Sequence, residues 1–384
     1  MEKNVLKKEL ISVEKVRTYA IISVLIIMWI VFNFLTKGTF ISNRNLSNLT
    51  KQIAPIAIVA CGMAFCIISG NIDLSVGPIV ALSGAVIAIF VSRYNISHAV
   101  AVASVIVMGI IIGLWQGFWI AYKNVPAFIV TLGGQMLFRG IVLLTTKGST
   151  IPVNKDSVLM IGTDYLNPVL GYLFCALSWI VFVILSHRSR KTSISYGFSV
   201  PGIGVVICKY IFAGLLLFLF AFVMNSYRGI PLSALLVIVL VTLTSFVLIK
   251  TRFGRYIYAI GGNKQAARFS GIQIRHTIIG VYVVMGILAS IAGYVLLGRL
   301  GNSTPSAGQG FELDAIAACV IGGTSLTGGK GSVTGAIVGA LIMGTLNNGM
   351  SLLNTDSSLQ FILKGLILIF AVWIDLATKG SDNL

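Results

Sequence analysis

The chain has 384 residues, 57% of them hydrophobic and only 10% charged, with a formal net charge of +17. Its mean hydropathy is +0.96, whereas a soluble domain carries about 25% charged residues. These values exclude a water-soluble globular enzyme and make a bilayer the suitable solvent. The Lys and Arg residues sit in short clusters between apolar runs, which is the positive-inside bias of membrane proteins and not a nucleic-acid footprint. Cys61, Cys66, Cys175, Cys208 and Cys319 lie in or beside apolar stretches without ligand spacing. They read as small hydrophobes, not as metal ligands or disulfides.

In chain order, residues 1–18 form a charged segment with Lys3, Lys7, Lys8, Lys15 and Arg17. An apolar run over 19–35 follows, long enough for an uncleaved first span. Further spans are predicted at 53–69, 76–92, 98–121, 125–145, 166–185, 203–225, 231–249 and 277–298. A short re-entrant segment is placed near 314–323, with spans at 333–352 and 359–377 and a cytoplasmic tail at 378–384. The fold class is therefore an all-α polytopic membrane protein with about 10–12 transmembrane helices, some broken or re-entrant. Residues 19–377 form one transmembrane domain, and no soluble domain is visible.

Charge sets the expected orientation. Lys250, Arg252, Arg255, Lys264, Arg268 and Arg275 form the largest cluster; Arg188, Arg190 and Lys191 form another. Both fall on the face of the N-terminus, which is expected to be cytoplasmic together with the C-terminus. The loop at 36–52, with Lys37, Arg44 and Lys51, departs from this rule.

Three loops exceed what a bilayer needs. Ser69 to Pro78 joins two apolar runs with almost no polar spacer, which puts Asp73 near or inside the membrane. A lone acid there costs about 2.5–3.5 kcal/mol on insertion scales. Gly70, Gly77 and Pro78 mark an interrupted helix, tolerated only where protein or a water-filled cavity satisfies the backbone. Asn71, Asp73, Ser75 and Gly77 read as a kink beside a transport path, or Asp73 as a cap of the following helix. In the second loop, Gly262-Asn263 gives a turn with a cap at Asn263, Lys264 to Phe269 favours helix, and Gly271 ends it. A capped helix with Ala266, Ala267 and Arg268 suits docking of a cytoplasmic partner better than a plain solvated loop. The third loop carries Gly322, Gly323, Gly328 and Gly329. Its Gly329-Lys330-Gly331 is no phosphate loop, since the required Ser or Thr after Lys is missing. A re-entrant turn is expected instead, followed by Gly335 and Gly339 as a small-residue packing face at a helix pair within the subunit or at a dimer seam.

With these three loops in order, the chain resembles the ribose/xylose-type family of sugar ABC transporter permeases from about residue 45 to 377. The resemblance rests on Gly70–Gly77, on Gly261-Gly262-Asn263-Lys264-Gln265-Ala266-Ala267-Arg268-Phe269-Ser270-Gly271-Ile272, and on Ala317–Ser332. The family more often has Gly where this chain has Asn71. The basic stretch at 186–199 and the spans beside it look like the xylose or multiple-monosaccharide subgroup. The resemblance implies a bacterial inner-membrane importer with separate ATPases that carry ATP and Mg, no cofactor on this chain, an extracytoplasmic sugar-binding protein and a second copy of the chain. Gly262, Asn263, Ala266, Ala267, Arg268 and Gly271 would belong to the segment that rests on the ATPase.

No catalytic set is evident. His98, His187 and His276 are far apart in sequence and lie near span ends. Glu312 and Asp314 are expected to favour a helix start, and Arg139 to pair with an acid or snorkel. An ion-coupled secondary transporter is the alternative. It calls for repeated helix breaks, and only one acidic break is evident.

Overall fold

A computed structural model describes the backbone of residues 21–380 and the side chains of residues 21–373. The expected cytoplasmic segment 1–18 lies outside the described residues, as do 381–384 of the expected tail. The first helix, α1, covers Ile21–Leu35. It is followed by α2 (Asn43–Ile68), α3 (Val76–Ser92), α4 (His98–Ala121), α5 (Ala127–Thr146), α6 (Asp156–Thr163), α7 (Pro168–Ser195), α8 (Ile203–Asn225) and α9 (Leu232–Lys250). Two short helices, α10 (Arg252–Gly262) and α11 (Lys264–Phe269), precede α12 (Ile274–Leu300), α13 (Phe311–Ile321), α14 (Val333–Leu352) and α15 (Ser357–Gly380). Eight of these are long and apolar enough to cross a membrane, and three shorter apolar helices join them.

Two antiparallel strand pairs lie at one end of the bundle, hereafter the sheet end. β1 (Ile151–Pro152) pairs with β4 (Asn302–Ser303), and β2 (Tyr165–Leu166) with β3 (Ile230–Pro231). The opposite, basic end carries α10 and α11.

Most predicted spans recur as helices, with shifted ends. α2 starts at Asn43 because Ser42 accepts the Asn45 N–H and caps it, so Arg44 and Lys51 are helical and not in a loop. Lys51 donates to the Tyr165 hydroxyl at 2.8 Å. Burial raises the Tyr165 phenol, but the hydrogen bonds with Lys51 and Ser47 and the charges of Lys51 and Arg228 together hold the group below its ordinary value. α7 continues to Ser195, through most of the stretch expected as a basic loop. α15 runs to Gly380, into the expected tail.

α12 is the central helix. It packs on α4 through Gly109, Gly113 and Gly117, which face Gly286, Tyr282 and Ile279 at backbone distance. Spacing of four residues puts these glycines on one helix face, where missing side chains let the axes approach. Gly335 and Gly339 work likewise against Gly322 and Ala318. That seam is the α13–α14 pair inside the subunit. α7 and α8 pack mainly on each other, and only Gly171, Cys175, Ala221 and Met224 on them are buried.

Candidate functional site

The first interrupted helix follows α2. Its chain turns at Gly70 (φ +80) and runs without regular structure through Ser75, after which α3 begins. The 17 residues of α3 cover about 25 Å, short of a hydrocarbon core of about 30 Å, and residues 69–75 supply the rest. Asp73 is fully buried. Its Oδ1 accepts the Ser75 N–H at 2.8 Å and the Ser75 hydroxyl at 2.6 Å. Ser75 Oγ in turn accepts from Gln116 Nε2 on α4 at 2.6 Å, and Thr131 on α5 donates to the Ile72 carbonyl at 3.3 Å. Asn71 stays local, donating to Ser69 Oγ at 2.9 Å.

A second interrupted helix follows α12. Gly301 is left-handed, β4 leads away, and Gly308 and Gly310 are left-handed again before α13 starts at Phe311. The short or re-entrant segment expected near 314–323 corresponds to α13, but the break at 301–310 that precedes it was not anticipated from the sequence. The two interruptions meet. A methyl group on Gly77 would stand 2.5 Å from the Gly308 carbonyl and from Glu312 Oε2, so only glycine at 77 permits the crossing.

Glu312 and Asp314 lie in the first turn of α13, the helix start that the sequence leads one to expect for acids at the positive end of a helix dipole. Glu312 Oε1 accepts from Gln135 at 3.4 Å. Asp314 forms the one ion pair among the described residues, 3.0 Å from Lys364 on α15, and also accepts from Asn347 on α14 at 3.2 Å. Arg139 donates to the carbonyls of Pro305 and Ala307 and braces the second interruption, close enough to Glu312 for their opposite charges to attract, though not in a direct ion pair. Asp73 Oδ2, Glu312 Oε2 and Asp314 Oδ1 are buried without a hydrogen-bond partner. Among the described residues no group of His, Cys, Asp and Glu could hold a metal ion.

At the basic end the three sequence loops converge. Asn263 caps α11 by accepting the Ala266 N–H at 2.9 Å, and Gly271 (φ +78) follows its end. Gly262, Asn263, Ala266 and Arg268 are exposed; Ala267 is not. Ala267 packs with Ile260, Ile278 and Tyr282 and anchors α11 to the body. Phe269, which the sequence had not marked, is 89% exposed. The turn after α13 folds back here: Gly329 donates to the Ile68 carbonyl at 2.9 Å, and Tyr258 donates to the Gly331 carbonyl at 2.8 Å. Gly328 and Gly329, both left-handed, approach the backbone of Gly261, Gly262 and Gly70. Gly322 lies apart from them, in the α13–α14 seam, and Gly323 takes φ +95 in the turn that leaves α13. Gln116, Gln135 and Lys364 were the other residues missed; polar side chains inside apolar runs were their only sequence signal.

Interrupted helices crossing inside a bundle of long apolar helices mark a polytopic membrane protein. The chain belongs to the family described as branched-chain amino acid transport system / permease component, whose profile matches residues 45–372. It is 42% identical over 363 residues to the xylose transport system permease protein XylH of Escherichia coli K12, covering 94% of this chain and 92% of that one. The corresponding protein of Haemophilus influenzae is 41% identical over 363 residues, covering 94% of this chain and 97% of its own. The ribose import permease protein RbsC of Escherichia coli K12 is 37% identical over 336 residues, covering 88% of this chain and 87% of its own. No solved structure matches the chain.

Proposed function

We propose that this chain is the membrane permease of an ABC importer that passes a monosaccharide, xylose by preference, into the cytoplasm by alternating access. The observation that carries the proposal is the 42% identity to a xylose permease over 94% of the chain. The family description speaks of amino acids, but the xylose and ribose relatives cover nearly the whole chain and favour a sugar. The protein would sit in a bacterial inner membrane with its basic end and both termini cytoplasmic. ATP and Mg would bind on a separate ATPase, which would press on α11; an extracytoplasmic binding protein would deliver the sugar. A second copy of the chain would complete the path.

The convergence of Gly70, Gly261–Gly262 and Gly328–Gly329 supports the coupling role, because movement of α11 would reach both interrupted helices through backbone contacts. The second interruption removes the sequence argument against an ion-coupled transporter, so family membership carries that choice.

The test is co-purification in mild detergent followed by uptake of labelled xylose in proteoliposomes. An ABC ATPase that stays with the chain and ATP-dependent uptake are expected. Uptake that needs a proton gradient and no ATPase would overturn the proposal. Phe269→Ala is expected to leave the permease folded while cutting ATP-driven uptake several-fold. Ala267→Glu would be a poorer probe, since an acid buried beneath α11 would detach the helix itself.

A further inference from the structure

A cavity of about 860 Å³ lies at the basic end, between the α4–α5 turn, α11 and the first turn of α12. Lys264, Arg268, Arg275 and His276 line it, and no Asp or Glu does. The surrounding segments 120–126 and 250–276 contain no acid either. Among the described residues, Lys264, Arg268 and His276 have no side-chain hydrogen bond or ion pair. Arg275 only stacks over the Tyr122 ring, 5.2 Å from its centroid. The isoleucines lie deeper than the cations: Ile260 and Ile278 are buried and Ile120 and Ile272 half-buried, whereas Lys264, Arg268, Arg275 and His276 are exposed, and Ser69–Asn71 complete the lining.

Neighbouring side chains fix the level of the cavity. Phe118, Trp119 and Tyr122 are exposed on the end of α4, and Lys123 lies over the Phe118 ring at 5.6 Å. Exposed aromatics with a cation at a helix end mark a membrane–water interface. Cations gathered there without a counter-charge repel one another, and an anionic group among them relieves that repulsion. A cationic rim above an apolar wall matches an amphiphile with its charge at the rim.

We propose that this cavity binds the phosphate headgroup of an anionic phospholipid of the phosphatidylglycerol type, with the lipid's glycerol end against the isoleucines. Basic pockets at membrane-interface level commonly recognise such headgroups. The site does not depend on the transported solute, but it shares Lys264 and Arg268 with α11, the helix proposed above to meet the ATPase.

The test is native mass spectrometry of the full chain from mixed phosphatidylglycerol and phosphatidylcholine nanodiscs, with thermal unfolding as a fold control. Selective retention of phosphatidylglycerol is expected. Lys264→Gln, Arg268→Gln and Arg275→Gln should each lower retention about fivefold without changing unfolding, whereas Arg93→Gln, exposed at the sheet end, should not. Equal loss with Arg93→Gln would overturn the site. Displacement of the lipid by inorganic phosphate at equal concentration would assign a soluble ligand instead. Loss of the lipid when the co-purifying ATPase is added would make the cavity a protein-docking surface and also overturn the proposal.

Discussion

The two interrupted helices solve one problem in different ways. In the first, Asp73 Oδ1 is held two residues away by the Ser75 N–H and hydroxyl. In the second, one oxygen each of Glu312 and Asp314 is held from α5, α14 and α15, with Gln135, Asn347 and Lys364 as partners. One break is encoded locally and the other by tertiary contact. A locally closed acid tolerates movement of its neighbours, whereas a remotely held one stakes its burial on the position of three other helices.

The sharpest way to break this comparison is Lys364→Met. It would strand the buried Asp314 carboxylate and should destabilise the purified protein by about 3 kcal/mol, read as a lower thermal midpoint in detergent. Adding Asp314→Asn should recover most of the loss, since the uncompensated charge is gone; no recovery would show that Lys364 acts through something other than Asp314. Gly77→Ala comes next. The methyl group would strike the Gly308 carbonyl and Glu312, and such overpacking costs about 1–3 kcal/mol; unchanged stability would mean that the two interruptions separate easily. The smallest effects belong to the first break. Asp73→Ala should cost about 1 kcal/mol by the measure of a lost cap, and Asp73→Asn a few tenths because an accepting oxygen remains. A loss from Asp73→Asn as large as from Lys364→Met would erase the distinction.

The same distinction explains what was legible in the sequence. Asp73 stood out because glycines and a proline crowd it within a few positions, and α11 was legible because Asn263, the Lys264–Phe269 run and Gly271 are contiguous. The helices α3, α4, α8 and α14 could be bounded because their apolar runs end abruptly. The second interruption was not legible. Its glycines at 301, 308 and 310 are spread over a loop, and its partners lie more than thirty residues from it on either side. Sequence also gave no sign that Ala267 faces inward and Phe269 outward, because a six-residue helix is too short to show a face by periodicity.

The strand pairs at the sheet end have a mechanical consequence. There, Ile151–Pro152 is stitched to Asn302–Ser303, and Tyr165–Leu166 to Ile230–Pro231. At the basic end the turn after α13 is latched mainly by single hydrogen bonds, from Gly329 to Ile68 and from Tyr258 to Gly331. A body sewn along one rim and merely latched along the other behaves like a pair of tongs. Under the coupling role proposed above, a push on α11 would act on the latched rim while the paired strands hold the other rim together.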